Sequence, residues 1–326
     1  MVDIEKYIAY LMSSPVGSSC VKASSILEVS HDEVNRFLLS DHPTGLELFV
    51  KVRDHIDLYG GTLSVDDSTL DKPYTQTAST ELVGYFWSGK HHRSVKGISL
   101  IVLVYTMAKG YSVPVNYRVY RHSEGKTKNE YFQEMVQEVW NQGLRPAWIT
   151  ADSWYSSLGT LKFLRNLEIG IYMGLEKNRI VSNQPSVYEQ IGQIIIPREG
   201  LYTHLKGFGF VQVFQTLAQD GDVRYYMIYK PQAHPTQPEL ISRELFEQVR
   251  LQHWHVESFF RCIKQCCQAE KFFVRQTQAI KTHLFCVMRA FQKLASLTNS
   301  RYLDSLYSLR QLLFLEAQRQ SVNDFT

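Results

Sequence analysis

The chain is expected to fold as an α/β protein: a mixed sheet with helices, interrupted by an antiparallel β insertion, with helical segments at both ends. Three patterns lead to that expectation. Apolar runs of strand length, separated by turn residues, fill the region from Thr62 to Tyr120. Helical and strand periods then alternate from Asn129 to Leu175. From Pro238 onward the pattern is helical. A meander followed by alternating elements is the pattern of a mixed sheet with helices. With 326 residues, 44% of them hydrophobic, the chain can bury a large core.

Residues 1–55 read as short helices. Val21–Leu27 and His31–Leu38 flank Glu28-Val29-Ser30, and Ser30 suits the N-cap of the second helix. Such a pair is either a helix-turn-helix that enters a major groove or a helical pair packed on the main domain. Thr62–Asp67 reads as a strand ending in acids. Ile98–Met107 and Ser112–Tyr120 are two further strands, with Lys109-Gly110 as the tight turn between them. Asn129–Asn141 is a helix, Ala147–Asp152 a short strand ending in an acid, Ser156–Asn166 a helix and Ile169–Leu175 a strand. Within 177–232, the stretches Ser186–Ile196, Gly207–Leu217 and Val223–Tyr229 form the β insertion. Three helices follow, at about Glu239–Lys271, Thr277–Leu297 and Asp304–Arg319. The expected organisation is a helical segment over 1–55, the first part of the core over 56–176, the β insertion over 177–236, and the last core helix with a helical tail over 237–326.

Net charge is +3, but its distribution is uneven. Residues 239–326 hold 12 Lys/Arg against 8 Asp/Glu, and residues 1–238 hold 23 against 24. The positive excess is C-terminal, which suits an anionic partner. Five cysteines, three of them in one expected helix, argue against a secreted disulfide framework. Cys262 and Cys266 with His253 and His255 match no common zinc spacing, and Cys266 and Cys267 fall on an apolar face, so buried thiols are expected. The N-terminus has early acids and no long apolar stretch. The longest apolar run, Ile98–Met107, is too short to cross a bilayer. The expected location is the cytoplasm, or the nucleoid of a bacterium, with no membrane partner.

The most informative stretch is Arg250–Gln268. Wound as a helix, it sets Arg250, His253, Glu257, Arg261, Lys264 and Gln268 on one face, and Val256, Phe259, Ile263, Cys266 and Cys267 on the other. One side packs, and the other holds a single carboxylate among basic and polar groups. That is either a solvated salt-bridge face or a helix that lays a metal-binding Glu against a polyanion while its basic neighbours hold phosphates.

Two strand-end acids bear on the choice: Asp66 or Asp67 after Val65, and Asp152 after Ala151. Acids at a strand end lie at the rim of a sheet, where sites on α/β folds are found. A lone Asp there also serves as a turn former. Three carboxylates brought together from distant segments repel unless a cation neutralises them. Mg²⁺ takes hard oxygen ligands, and two such ions can activate a nucleophilic oxygen and stabilise the leaving oxygen of a phosphodiester.

The stretches Ser64-Val65-Asp66-Asp67-Ser68-Thr69 with Lys72, Ile149-Thr150-Ala151-Asp152-Ser153-Trp154-Tyr155, and Trp254 through Gln265, with Val274-Arg275, His283, Ala290 and Phe291 behind them, resemble a DDE transposase with an RNase H-like core. The likeness spans about residues 55–297 and is nearest to cut-and-paste bacterial insertion-sequence transposases whose β insertion precedes the Glu. It implies Asp66, Asp152 and Glu257 as the catalytic ligands of two Mg²⁺ ions, for which Mn²⁺ can substitute, with Asp67 the rival of Asp66. Successive strand side chains face opposite sides, so only one of the two faces the ions. The family's Asp-x-Ser/Thr pattern favours Asp66. The family's Glu helix often reads Tyr-x2-Arg-x3-Glu-x6-Lys. Here Glu257 and Lys264 keep the spacing, His253 stands at the Arg position and Arg250 at the Tyr position. A protonated His donates to a phosphate, more weakly near neutral pH.

The resemblance further implies cleavage at transposon ends, strand transfer into target DNA, a hairpin on the end as intermediate, and a homodimer on paired terminal inverted repeats. Arg250, His253, Trp254, Arg261 and Lys264 are the expected DNA contacts. Lys90-His91-His92-Arg93, between the first two strands, is either a solvated loop or a basic loop against DNA backbone; as metal ligands its histidines are disfavoured, because Mg²⁺ prefers oxygen. Trp254, Tyr202, Phe208 and Phe210 are either core or stacking groups for an unpaired base. A transposase-derived DNA-binding protein without catalysis and a nuclease of the same fold are the alternatives.

Overall fold

A computed structural model describes residues 1–14, 17–40, 44–184, 186–218, 221–231, 240–299 and 307–325. Four short helices open the chain: α1 (Ile4–Ser13), α2 (Cys20–Leu27), α3 (His31–Leu39) and α4 (Glu47–Val52). Ser30 caps α3 by accepting from the Glu33 amide at 3.1 Å. α3 buries Val34, Phe37 and Leu38. α2 packs on α1 and α3, and α1, α3 and α4 pack on a later helix, α8 (Thr277–Asn299). The Tyr7 hydroxyl lies 3.1 Å from His283 Nδ1 of that helix. The N-terminal helices thus share the main hydrophobic core.

The sheet begins with β1 (Thr62–Asp71), β2 (Gly84–Ser88), β3 (Arg93–Thr106), β4 (Ser112–Val119), β5 (Trp148–Ala151) and β6 (Gly170–Leu175). β1 pairs antiparallel with β3 and parallel with β5; β5 pairs parallel with β6, and β4 pairs with β3. The order β4-β3-β1-β5-β6, three antiparallel strands followed by two parallel to the first, is RNase H-like. The β3–β4 turn is at Gly110, whose φ of 86° is open to glycine without strain.

Two expectations are corrected here. β1 does not end at Asp67. β3 reaches back to Arg93 and pairs β1 out to Asp71, so both acids stand inside the strand. The segment before Arg93 contains an unforeseen strand, β2, so Lys90-His91-His92 is the turn of a β2–β3 hairpin and Arg93 opens β3.

The β insertion consists of β7 (Ile180–Gln184), β8 (Val187–Gln190), β9 (Leu201–Leu205), β10 (Gly209–Leu217) and β11 (Val223–Tyr229). β11 pairs antiparallel with β6, so the insertion continues the core sheet. A bare β6 would leave a row of unpaired backbone groups at the edge, and β11 covers it.

α5 (Lys128–Asn141) starts from a capping box made by Thr127 and Glu130. It packs with α6 (Leu158–Asn166) and against β3 and β4. The Glu-bearing helix is α7 (Arg243–Cys266), which lies on β1, β3 and β5. It stops before Gln268, whose φ is 63°. Gln268 is therefore buried beyond the helix and bonds the Ser14 carbonyl, off the polar face. The expected starts of two helices, at Glu239 and Asp304, lie outside the described residues; α9 (Ser308–Phe325) covers the rest of the second. Cys262, Cys266, Cys267 and Cys286 are buried and outside any disulfide; burial of Cys266 and Cys267 is as expected from their apolar face. No helix among the described residues is long and apolar enough to cross a membrane.

Candidate active site

Register sets the first two acids side by side. Ser64 of β1 lies opposite Thr150 of β5 in a parallel pair. Two residues beyond that pair come Asp66, inside β1, and Asp152, one residue past the end of β5 in extended backbone. β5 ends at Ala151, so Asp152 is at the rim, where it caps the turn Ser153–Tyr155 by accepting from the Trp154 amide at 3.0 Å. Gly174 of β6 makes that turn possible: a Cβ there would come within 2.6 Å of the Ser153 nitrogen.

α7 is laid along the same face by two contacts. Near its middle, His253 Nδ1 is 3.0 Å from Thr150 Oγ1, which itself donates to Ser64 Oγ at 2.7 Å. Eleven residues later, Lys264 Nζ reaches the Thr69 carbonyl at 3.4 Å. Eleven helical residues rise about 16 Å and the five strand residues from Ser64 to Thr69 span about 16 Å, so helix and strand run together. Glu257, one turn beyond His253, is then carried about 6 Å along, level with Asp66 two strand residues beyond Ser64.

Electrostatics report the same convergence. Burial holds the Asp66 carboxyl well above the usual range, and the charges of Asp152, Asp67 and Glu257 raise it further. Asp152 reaches the surface, yet the protein around it and the Asp67 charge push it up to about 6. Burial raises Glu257, opposed by Arg261 and Arg224. The Asp66 carboxyl thus feels both Asp152 and Glu257, but the three acids do not close into a ligand set: no group of three His, Cys, Asp or Glu side chains among the described residues is close enough to hold a metal ion outright. The donors on offer are carboxylate oxygens crowded in like charge, a set suited to a hard divalent cation such as Mg²⁺.

Asp67 faces the other way. It accepts from Lys128 Nζ at 2.6 Å and from the Tyr155 hydroxyl at 2.9 Å, on the α5 side of the sheet. Of the two rivals, Asp66 is the one that feels Glu257 of α7, and Asp67 is ion-paired with Lys128. The sequence reading did not find Lys128. Tyr155 stood in a motif, three residues after Asp152, without a role assigned.

Asp152 and Glu257 open into a cleft of about 800 Å³ shared with Arg250, Trp254, Arg224 and Lys177. Arg250 is paired with Glu247 at 2.9 Å. Trp254 is 51% exposed, so its ring is available to a ligand. His253 does not offer the donor expected of it. Burial lowers its pKa to about 4, so it is neutral near pH 7. Because Thr150 gives its proton to Ser64, Nδ1 donates to Thr150 and Nε2 is left an acceptor, which repels a phosphate oxygen. Lys264 is paired with Glu270 at 2.9 Å, and Arg261 is exposed beside Glu257. Lys90 and His91 pair with Asp71 at 3.6 and 2.8 Å, and His92 and Arg93 are exposed; none of the four lines the cleft. Lys72 turns into the helical core, 3.0 Å above the Phe272 ring. Phe208 is core, whereas Tyr202 and Phe210 stack on each other with Phe210 58% exposed.

The raised carboxyls predict a pH dependence. Their folded-state pKa values lie above the unfolded ones, so the associated stability is complete below the ordinary Asp range and is lost as pH rises through about 6. The buried, neutral His253 and His283 act in the opposite sense, losing stability as pH falls below the ordinary His range. The carboxyls are therefore read from the Mg²⁺ effect: the rise in melting temperature on adding Mg²⁺ to chelated protein should be larger at about pH 7.5 than at about pH 5. Equal Mg²⁺ shifts at both pH values would contradict the electrostatic picture.

Residues 60–291 match the sequence model of the family described as the transposase DDE domain. Among solved structures, the chain is similar to the piggyBac transposase in a synaptic complex with hairpin DNA, determined by cryo-EM, with a TM-score of 0.53 and 12% identity. The match covers 96% of this chain and 69% of that one, and at such identity it is a likeness of fold. No curated protein matches the sequence.

Proposed function

This chain belongs to the transposase DDE domain family, and from that premise we propose that Asp66, Asp152 and Glu257 hold two Mg²⁺ ions at the scissile phosphodiester of a transposon end. The family cleaves DNA and transfers strands in a divalent-metal-dependent way. The observation that carries the residue assignment is the shared face: Asp66 stands two residues beyond the Ser64–Thr150 pair in β1, Asp152 two residues beyond it just past the end of β5, and the charges of Asp152 and Glu257 both act on the Asp66 carboxyl. When bound, the ions supply Lewis acidity to the attacking and leaving oxygens. The protein's own part is to place the DNA. Arg250 and Arg261 hold backbone phosphates on either side of Glu257, and Trp254 lies against the DNA end from the same helix. Lys264 acts through Glu270 and Thr69 to fix the far end of α7. His253 anchors the helix to Thr150 instead of gripping phosphate. Lys128 and Tyr155 hold Asp67 off the ions, so that its charge does not compete for them.

On this reading water cuts the end and frees a 3′-hydroxyl, which then attacks target DNA in a cut-and-paste reaction. A hairpin on the end between the two steps, and a homodimer that pairs the ends, belong to the same proposal. Glu257→Gln keeps the shape of α7 and removes the charge. It is expected to cut a supercoiled plasmid carrying the terminal repeats about 10³-fold more slowly in Mg²⁺ than wild type does. Cutting at the wild-type rate would remove Glu257 from the site. Strand-transfer products on a second plasmid separate a transposase from a nuclease of the same fold, and duplex binding without any nicking in Mg²⁺ or Mn²⁺ would leave a DNA-binding module.

A further inference from the structure

The β2–β3 hairpin plays no part in the cleft, yet its surface is unusual. From Gly84 to Gly97 it carries Lys90, Arg93 and Lys96, two histidines and no acid. Its register sets Tyr85 opposite Lys96 and Trp87 opposite Ser94, so the two aromatic rings share one side with Lys96. The other side is spoken for: Phe86 stacks on His122 and packs edge-on to Tyr120. Tyr85 and Trp87 are 69% and 66% exposed, a large solvent-facing aromatic area on an arm whose opposite side is already packed. Arg93 and Lys96 have no ion pair among the described residues.

The arm is also tied to the Glu257 helix. Lys264 of α7 pairs with Glu270 at 2.9 Å, and Glu270 lies 4.0 Å from Lys90 at the hairpin turn. His91 and Lys90 both hold Asp71 at the end of β1. Thr69 Oγ1 donates to the Trp87 carbonyl at 2.9 Å, fixing β2 against β1. The arm is thus held at one orientation to the strand that bears Asp66 and to the helix that bears Glu257.

We propose that this hairpin is a duplex-docking arm, which holds the flank of the DNA whose end occupies the cleft. The inference rests on the transposase reading above and extends it to a surface outside the cleft. Charge complementarity names the occupant: an acid-free, triply cationic hairpin suits a polyanion. Lys96 takes a phosphate on the face of Tyr85 and Trp87, which pack on the sugar edge beside it, while Lys90 at the turn and Arg93, which the register puts on the opposite side at the start of β3, reach phosphates from the tip of the arm.

The full-length protein and a random-sequence duplex of about 30 base pairs test this through the salt dependence of binding. The triple variant Lys90→Ala, Arg93→Ala, Lys96→Ala should lower the slope of log affinity against log salt by about two to three, since each phosphate contact contributes about 0.9, and weaken binding at least tenfold at low salt. Trp87→Ala should weaken binding several-fold with the slope unchanged. Both variants should melt within a few degrees of wild type, because none of the four side chains is buried and the exposed Lys90 pairs with Asp71 and Glu270 contribute little to stability. Unchanged affinity and slope in variants that remain folded would overturn the proposal. So would a Trp87→Ala protein whose sedimentation mass changes while its DNA affinity does not, because the face would then be an interface between protein copies. The underlying family reading fails separately: in that case wild type itself neither binds duplex nor cuts it in Mg²⁺.

Discussion

Asp152→Asn is expected to bind DNA as wild type does and to lose cleavage by about 10³-fold or more, equivalent to about 4 kcal/mol of transition-state stabilisation. Asparagine keeps the turn, because its side-chain oxygen can still accept from the Trp154 amide and cap Ser153–Tyr155. What it removes is one of the negative charges that would hold a cation beside Asp66. The same substitution relieves repulsion, because Asp152 is itself a cause of the raised Asp66 carboxyl. In chelator near pH 7.5 the variant should therefore melt slightly higher than wild type. The gain is about 1 kcal/mol at most, because water at the rim screens much of the repulsion. It should also lose the Mg²⁺-dependent rise in melting temperature. Loss of activity accompanied by a lower melting temperature in chelator would mean that Asp152 serves the fold and not the ions.

Gly174→Val should reduce cleavage about 100-fold or more although residue 174 carries no charge and no functional group. A Cβ at this position would sit 2.6 Å from the Ser153 nitrogen and 3.2 Å from the Asp152 carbonyl carbon. Both are backbone atoms, which cannot swing aside as a side chain can. The strand that holds Gly174 is fixed on both edges, by β5 and by β11. The Asp152 turn has to move instead. A shift of about 1 Å in a positioned catalytic group is enough for a loss of that size, and the overpacked strand should cost about 1–3 kcal/mol in stability. Parallel measurements of melting and of plasmid cutting check both parts. Wild-type cutting by Gly174→Val would show that the turn has slack and that Asp152 is not placed by it.

Much of the fold was legible because it is written in periods. The Ser30 cap, the Gly110 turn, strands β3 to β6 and the amphipathic faces of α5 and α7 follow from local spacing and turn chemistry. β2 escaped because Gly84–Ser88 is short and hardly alternates in hydrophobicity, since it exposes Tyr85 and Trp87. The length of β1 escaped because Asp66 to Asp71 is poor strand sequence, held extended by its partner β3. His253 misled for a related reason. Helical spacing put it on the polar face, but that face points partly toward Thr150, and a helix wheel does not show what lies opposite.

By itself, the order of amino acids determined which acids are candidates, the helix that carries Glu257, and the class of core. Tertiary structure decided the rest. It set Asp66 toward α7 and handed Asp67 to Lys128 and Tyr155, it buried His253 against Thr150, and it merged the insertion into the core sheet through β11. The division has a physical cause. Side-chain alternation and helical pitch are properties of a few neighbouring residues, whereas the face that is covered, and the charge that meets a partner, depend on which distant segment is laid across it.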